Sequence, residues 1–274
     1  MDINRATLRA VCQHVAGKTV LTSRYHETPL KITKTFREPD TNALLMYVMD
    51  VSPGLMEGDH YELQLKQQLG THLVMTNQSF TKVHPALLHG SSTTARFELE
   101  EGAKLEYMPE PTIPYKDSMF TGRNEFHLAK DASLIFAEII TPGRTHRDER
   151  YQFAQFATTT ELYLDGQLVA SDRYQLKPGS DAYSAIGVME QYTHQAVMWI
   201  FSPKVNADLL VLLRAELELL ARERVLAAAS LAEKGGIVVR AVGHSVWKLQ
   251  QLCQRLWDIS REKLWGYPPC LLRK

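Results

Sequence analysis

The stretch Leu73–His84, LVMTNQSFTKVH, starts as a strand and then fills its middle with hydroxyls, amides and a lysine. On an ideal strand Thr76, Gln78 and Lys82 share one face, and Ser79 lies on the other. Neither face stays apolar, so neither is a plain core face. A bulge near Asn77 would bring Thr76, Gln78 and Ser79 together. Two carboxylates stand at equally unusual places. Asp59 closes Glu57-Gly58-Asp59 just before an alternating strand, where a turn would use it to accept backbone N–H groups. Glu138 interrupts the apolar run Ser133–Ile140. A lone buried carboxylate is expensive unless it is paired, protonated or metal-bound; a strand face open to solvent is the alternative. The loop PGRTHRDER, 142–150, carries Arg144 and Glu149 in a dense set of charges, as a solvated turn or a site for a partner protein.

The common catalytic signatures are absent. The chain has no GxSxG elbow, no GxxxxGK[ST] or GxGxxG phosphate turn, and no HExxH. Its ten histidines are dispersed, with no two at i,i+2 or i,i+4, so no closed metal site is visible. A transient path lined with carboxylates, hydroxyls and amides would leave no such spacing. Three scattered cysteines exclude a disulfide framework. Lys plus Arg equals Asp plus Glu, 31 each, which argues against a nucleic-acid surface. No window is apolar enough to span a membrane, and the first residues lack the apolar run of a signal peptide. The expectation is a reduced, cytoplasmic protein.

The elements that must position these residues are mostly strands. From about 17 to 205 the chain alternates polar and apolar residues, as in His60–Lys66, Arg96–Glu100 and Glu125–Leu128, with turn signals about every ten residues. Asp165-Gly166 between two such runs signals a hairpin. Three prolines within Glu106–Tyr115 predict an extended but poorly paired segment, a rigid wall or a contact edge, since proline donates no ladder bond. From about 206 to 233 an apolar stripe at helical spacing predicts a helix that Asn206 or Asp208 caps and Gly235-Gly236 ends. Ile237–Arg240 reads as a short strand, and a second helix follows, with Ser245 as its cap candidate. The fold class is therefore mainly β: a single domain, 1–274, of stacked strands, β-helix-like or β-sandwich-like. Its two α-helices lie in a helix–strand–helix part at about 206–265.

The segments GLMEGDHYELQL, LVMTNQSFTKVH, LEYMPEPTIPY and SLIFAEIITPGRTHRDERY, in this order, resemble the urease accessory protein UreD (UreH) family. The likeness continues through Ser171–Tyr174, Ile237–Arg240 and Arg261–Leu264. Local departures lie at Pro53-Gly54, Thr76-Asn77 and Asp148-Glu149. The resemblance implies a non-catalytic maturation factor with a β-rich stack. Such proteins bind UreF, which recruits the GTPase UreG, and the assembly docks on apo-urease to help install nickel. It also implies internal tunnels as the nickel route, with no tightly bound cofactor. A conduit must hold its cation weakly, whereas a closed site would trap nickel. On that basis Asp59, Thr76, Gln78, Ser79, Glu138 and Glu149 are candidate lining residues. Lys82 and Arg144 would neutralise or orient the carboxylates. Two other classes compete: a carbohydrate-active enzyme with paired carboxylates, and an interaction domain with no metal role.

Overall fold

The computed structural model describes residues 4–178, 183–221 and 224–272. Among them the strands form two sheets. The first holds β1 (Asn4–Val15), β2 (Lys18–His26), β6 (Asp59–Gln67), β9 (Ser91–Leu99), β12 (Met119–Leu128), β14 (Gln155–Leu164) and β15 (Gln167–Leu176). The second holds β3 (Leu30–Ile32), β4 (Phe36–Arg37), β5 (Leu44–Asp50), β7 (His72–Asn77), β8 (Thr81–Val83), β10 (Lys104–Tyr107), β11 (Thr112–Pro114), β13 (Ser133–Ile140), β16 (His194–Phe201), β17 (Val225–Ala232) and β18 (Gly236–Gly243). From β5 to β14 the chain passes from one sheet to the other and back. Successive strands within a sheet pair in parallel, so the architecture is a stack of coils.

The coils differ in length. Leu63, Ala95, Asn124 and Thr160 align across the first sheet and are separated by 32, 29 and 36 residues. No fixed period exists, which is why the repeat is invisible in the sequence. The coil interior is held by aligned apolar positions instead. Leu65, Phe97, Phe126 and Leu162 form one row, with the Phe97 and Phe126 rings stacked at 4.9 Å. Both rings are fully buried, each contributing roughly 2–3 kcal/mol by area.

Two helices cover the outer face of the second sheet: α1 (Ala207–Ala221) and α2 (Val246–Trp265). The side chain of Asn206 accepts the Leu209 N–H at 3.0 Å, so Asn206 rather than Asp208 caps α1. Leu209, Leu210, Leu213, Leu217 and Leu220 supply its buried stripe. Ser245 occupies the N-cap position of α2 without a side-chain capping bond.

Two expectations are corrected. The stack begins at Asn4, well before 17: β1 is a twelve-residue strand that pairs with both β2 and β6. The helical stripe stops at Ala221, and Val225–Ala232 is a strand paired antiparallel with β18. Gly235-Gly236 therefore lies at a β-hairpin turn, and the region reads helix–strand–strand–helix. Alanine-rich VLAAASLA suits a helix locally, but the β18 edge supplies a ladder of backbone bonds that overrides this weak preference. The Asp165-Gly166 hairpin is present, with both residues at positive φ, 47° and 78°.

Candidate functional site

The polar middle of LVMTNQSFTKVH is where the strand leaves its sheet. β7 ends at Asn77, Gln78–Phe80 bend away, and β8 resumes at Thr81. The neighbouring coils break at the same level. Aligned register points in β13, Phe136 and Ile140, are four steps apart; their counterparts Tyr107 and Thr112 are five apart, and Met75 and Thr81 six. The isolated Leu55–Val83 bridge lies nine steps from Met46 on one side and eight from Met75 on the other. Each coil away from β13 thus carries one more residue. The surplus leaves the ladder and opens a wedge between the two sheets, bordered by Leu63, Ala95 and Asn124 of the first and by Phe136 and Glu138 of β13. Pro109 and Pro111 sustain the gap, because they cannot donate ladder bonds there.

The wedge is a cavity of about 190 Å³. Thr76, Gln78, Ser79, Lys82 and Glu138 all border it, together with Asn77, Glu110 and Asp50. Thr76 is fully buried, and its hydroxyl donates to the Met108 carbonyl at 2.6 Å, pinning β7 to the proline-rich wall. Gln78 and Ser79 sit on the exposed rim. Asn77 shapes the bend: its amide nitrogen donates to the Ser79 carbonyl at 2.9 Å, and its oxygen accepts the Glu110 N–H at 2.5 Å. Sequence reasoning placed Asn77 only as the site of a bulge; asparagine's readiness to bond nearby backbone was the available signal. Gly54 brings the rim close. A Cβ there would stand 2.5 Å from the Lys82 carbonyl, and its φ is +139°.

Glu138 is the junction of the site. It borders this cavity and a second one of about 480 Å³ between the sheets, lined also by Thr158, Thr160, Asp172 and Arg240. What surface it exposes faces these spaces. The Thr158 hydroxyl donates to its Oε2 at 3.3 Å. Burial pushes its carboxyl up to about 7, and the nearby Asp172 charge adds to the rise. Glu138 is therefore a half-buried carboxyl with a hydroxyl donor, raised to about 7.

The other candidates lie elsewhere. Asp59 is buried in its turn: it accepts the Met56 N–H at 2.8 Å and the Asn4 side-chain amide at 3.0 Å. Glu149 is held by Arg144 at 2.5 and 2.6 Å, a pairing that keeps its carboxyl below the ordinary range. The Arg144 guanidinium also stacks 4.0 Å from the Tyr115 ring. None of Asp59, Glu149 and Arg144 borders either cavity. Among the described residues, no three His, Cys, Asp or Glu side chains cluster as metal ligands would, and no helix is long and apolar enough to cross a membrane.

A second buried constellation escaped sequence reasoning. Glu106, wholly buried on β10, receives Arg261 Nη1 at 2.6 and 2.7 Å, His72 Nε2 at 2.6 Å, and the Trp257 indole N–H. Burial opposes its ionisation, but His72 and Arg261 outweigh that and hold the carboxyl low. Arg261 Nε also donates to the Pro268 carbonyl at 2.9 Å. The cluster ties α2 and the segment after it to the coils. The sequence placed Glu106 only at the start of the proline-rich extended segment; its partners Trp257 and Arg261 come from α2, more than 150 residues away.

Comparison with known proteins decides the family. The sequence profile of the UreD urease accessory protein family matches residues 4–274. The chain belongs to the UreD family. A urease accessory protein UreD of Acetivibrio thermocellus is 32% identical over 244 residues, covering 89% of this chain and 92% of the relative. One from Halalkalibacterium halodurans is 29% identical over 247 residues, 89% of each chain. One from Flavobacterium johnsoniae is 27% identical over 252 residues, 90% of each. The segments LVMTNQSFTKVH and LEYMPEPTIPY lie side by side along the wedge, and SLIFAEII carries Glu138.

Proposed function

We propose that this UreD-family chain is a cytoplasmic, non-catalytic scaffold for urease maturation. With UreF and the GTPase UreG it binds apo-urease and passes nickel through the two cavities that meet at Glu138. The observation that carries this reading is the position of Glu138, which borders both spaces with its carboxyl near neutrality.

A conduit ligand must accept a divalent cation and release it again. A carboxyl titrating near 7 binds a cation in exchange for its proton and recovers the proton afterwards. The remaining lining of hydroxyls and amides supplies neutral oxygens, which are weak ligands. The dispersed donor set among the described residues suits transit better than storage, since nickel ranks high in affinity for closed sites.

The test is coexpression of Glu138→Ala with UreF, UreG and the urease subunits. The complex is expected to assemble, while urease nickel content falls at limiting nickel. Unchanged nickel content in an assembled complex refutes the passage. Failure of the unaltered chain to copurify with UreF or urease refutes the scaffold.

A further inference from the structure

The second cavity opens at the edge where β15 of the first sheet faces β17 and β18 of the second. Register places its floor in one row. Glu138 pairs with Val197, and Val197 pairs with Arg240. Directly paired residues share a face, so Arg240 lies two strands outward from Glu138, about 10 Å away. The roof is β14 and β15, where Thr160 pairs with Asp172 on one face. Across the opening Arg240 Nη2 meets Asp172 Oδ1 at 3.0 Å. Lys234 and Gln167 meet farther along the same edge at 2.9 Å.

The two ends of the pair differ. The Arg240 side chain is 63% exposed, whereas the Asp172 side chain is 16% exposed and borders the cavity. An ion pair with one end in water is weak and screened by salt. It can part without disturbing the sheets, because Arg240 has solvent to swing into.

We propose that the Asp172–Arg240 pair is a latch across this mouth, which must part before a cation passes between solvent and Glu138 on this side. The inference rests on the passage reading above. An entering divalent cation replaces the guanidinium as the counter-charge of Asp172, so the exchange leaves no carboxylate unbalanced. Once freed, Asp172 is an oxygen donor one step outward from Glu138. Its charge already reaches Glu138, adding to the rise in that carboxyl's pKa.

A reporter inside the mouth tests this without nickel. Thr160 is buried and lines the second cavity but not the first. In the full chain, Thr160→Cys is treated with methyl methanethiosulfonate, a small neutral reagent. The native cysteines give little background: Cys12, Cys253 and Cys270 are buried, and burial pushes their thiols up to about 12. Adding Arg240→Ala is expected to speed labelling about fivefold, the factor that a weak exposed pair supplies. Arg240→Lys is expected to keep it slow. Salt at about 0.5 M speeds labelling only where the pair is intact. Equal rates with and without Arg240 overturn the latch. The passage fails separately, if Glu138→Ala leaves urease nickel content unchanged whatever the labelling shows.

Discussion

Replacing Glu138 by glutamine tests the electrostatics of the cavity without reference to nickel. The carboxyl titrates near 7 rather than at its ordinary 4.5 because it is buried with one hydroxyl donor and faces the charge of Asp172. The folded chain therefore holds a proton here that the unfolded chain has already released. Between about pH 4.5 and 7 the native state binds more protons, so stability falls as pH rises through that window. Below 4.5 the group costs nothing; above 7 the full cost is present. A displacement from 4.5 to about 7 corresponds to about 3 kcal/mol, an upper bound where cavity water relaxes around the charge. Glutamine keeps the shape and never ionises. The variant should lie within about 1 kcal/mol of the parent near pH 5 and exceed it by up to about 3 kcal/mol at pH 8.5. For a chain of this size that is roughly 6–12 °C in Tm. Thermal melts of both proteins from pH 5 to 8.5 measure it directly. Two curves that run parallel across the range would refute the assignment of a buried, unpaired carboxyl.

Two further substitutions address the framework. Arg261→Ala leaves the wholly buried Glu106 without its guanidinium partner, and should cost roughly 3–5 kcal/mol in guanidinium denaturation. The segment after α2 should become protease-sensitive, because the Arg261–Pro268 tie is lost with it. Thr76→Val removes the donor to the Met108 carbonyl and should cost about 1–3 kcal/mol in the same assay. If Thr76 is a pin rather than an indispensable ligand, nickel transfer measured below the melting transition should fall less than it does in Glu138→Ala.

Much of the fold was legible because its signals are local. Alternation in His60–Lys66, Arg96–Glu100 and Glu125–Leu128 marked strands that are present as β6, β9 and β12. The apolar spacing from Val246 to Ile259 marked α2, and the prolines marked a break at 108–111, although Thr112–Pro114 pair again as β11 with β8 and β13. The candidate site was half legible. Residues that broke a pattern, Glu138 and the polar run after Met75, lie together on the wedge. Residues chosen for chemistry near a turn, Asp59 and Glu149, are held by local partners instead. The pattern-breakers were informative because a buried polar group needs a reason. The turn carboxylates were not, because turns recruit carboxylates anyway.

The amino-acid sequence by itself determined the period of most segments, the hairpin at Asp165-Gly166 and the places where a strand could not continue. Tertiary structure decided what depends on partners distant in the chain. It made Val225–Ala232 a strand, because β18 offered a ladder. It buried Glu106, because α2 arrives from more than 150 residues away. It joined irregular segments distant in the chain into one cavity, because coils each one residue longer than the next were laid side by side. Such differences in register exist only between strands, so no single stretch of sequence contains them.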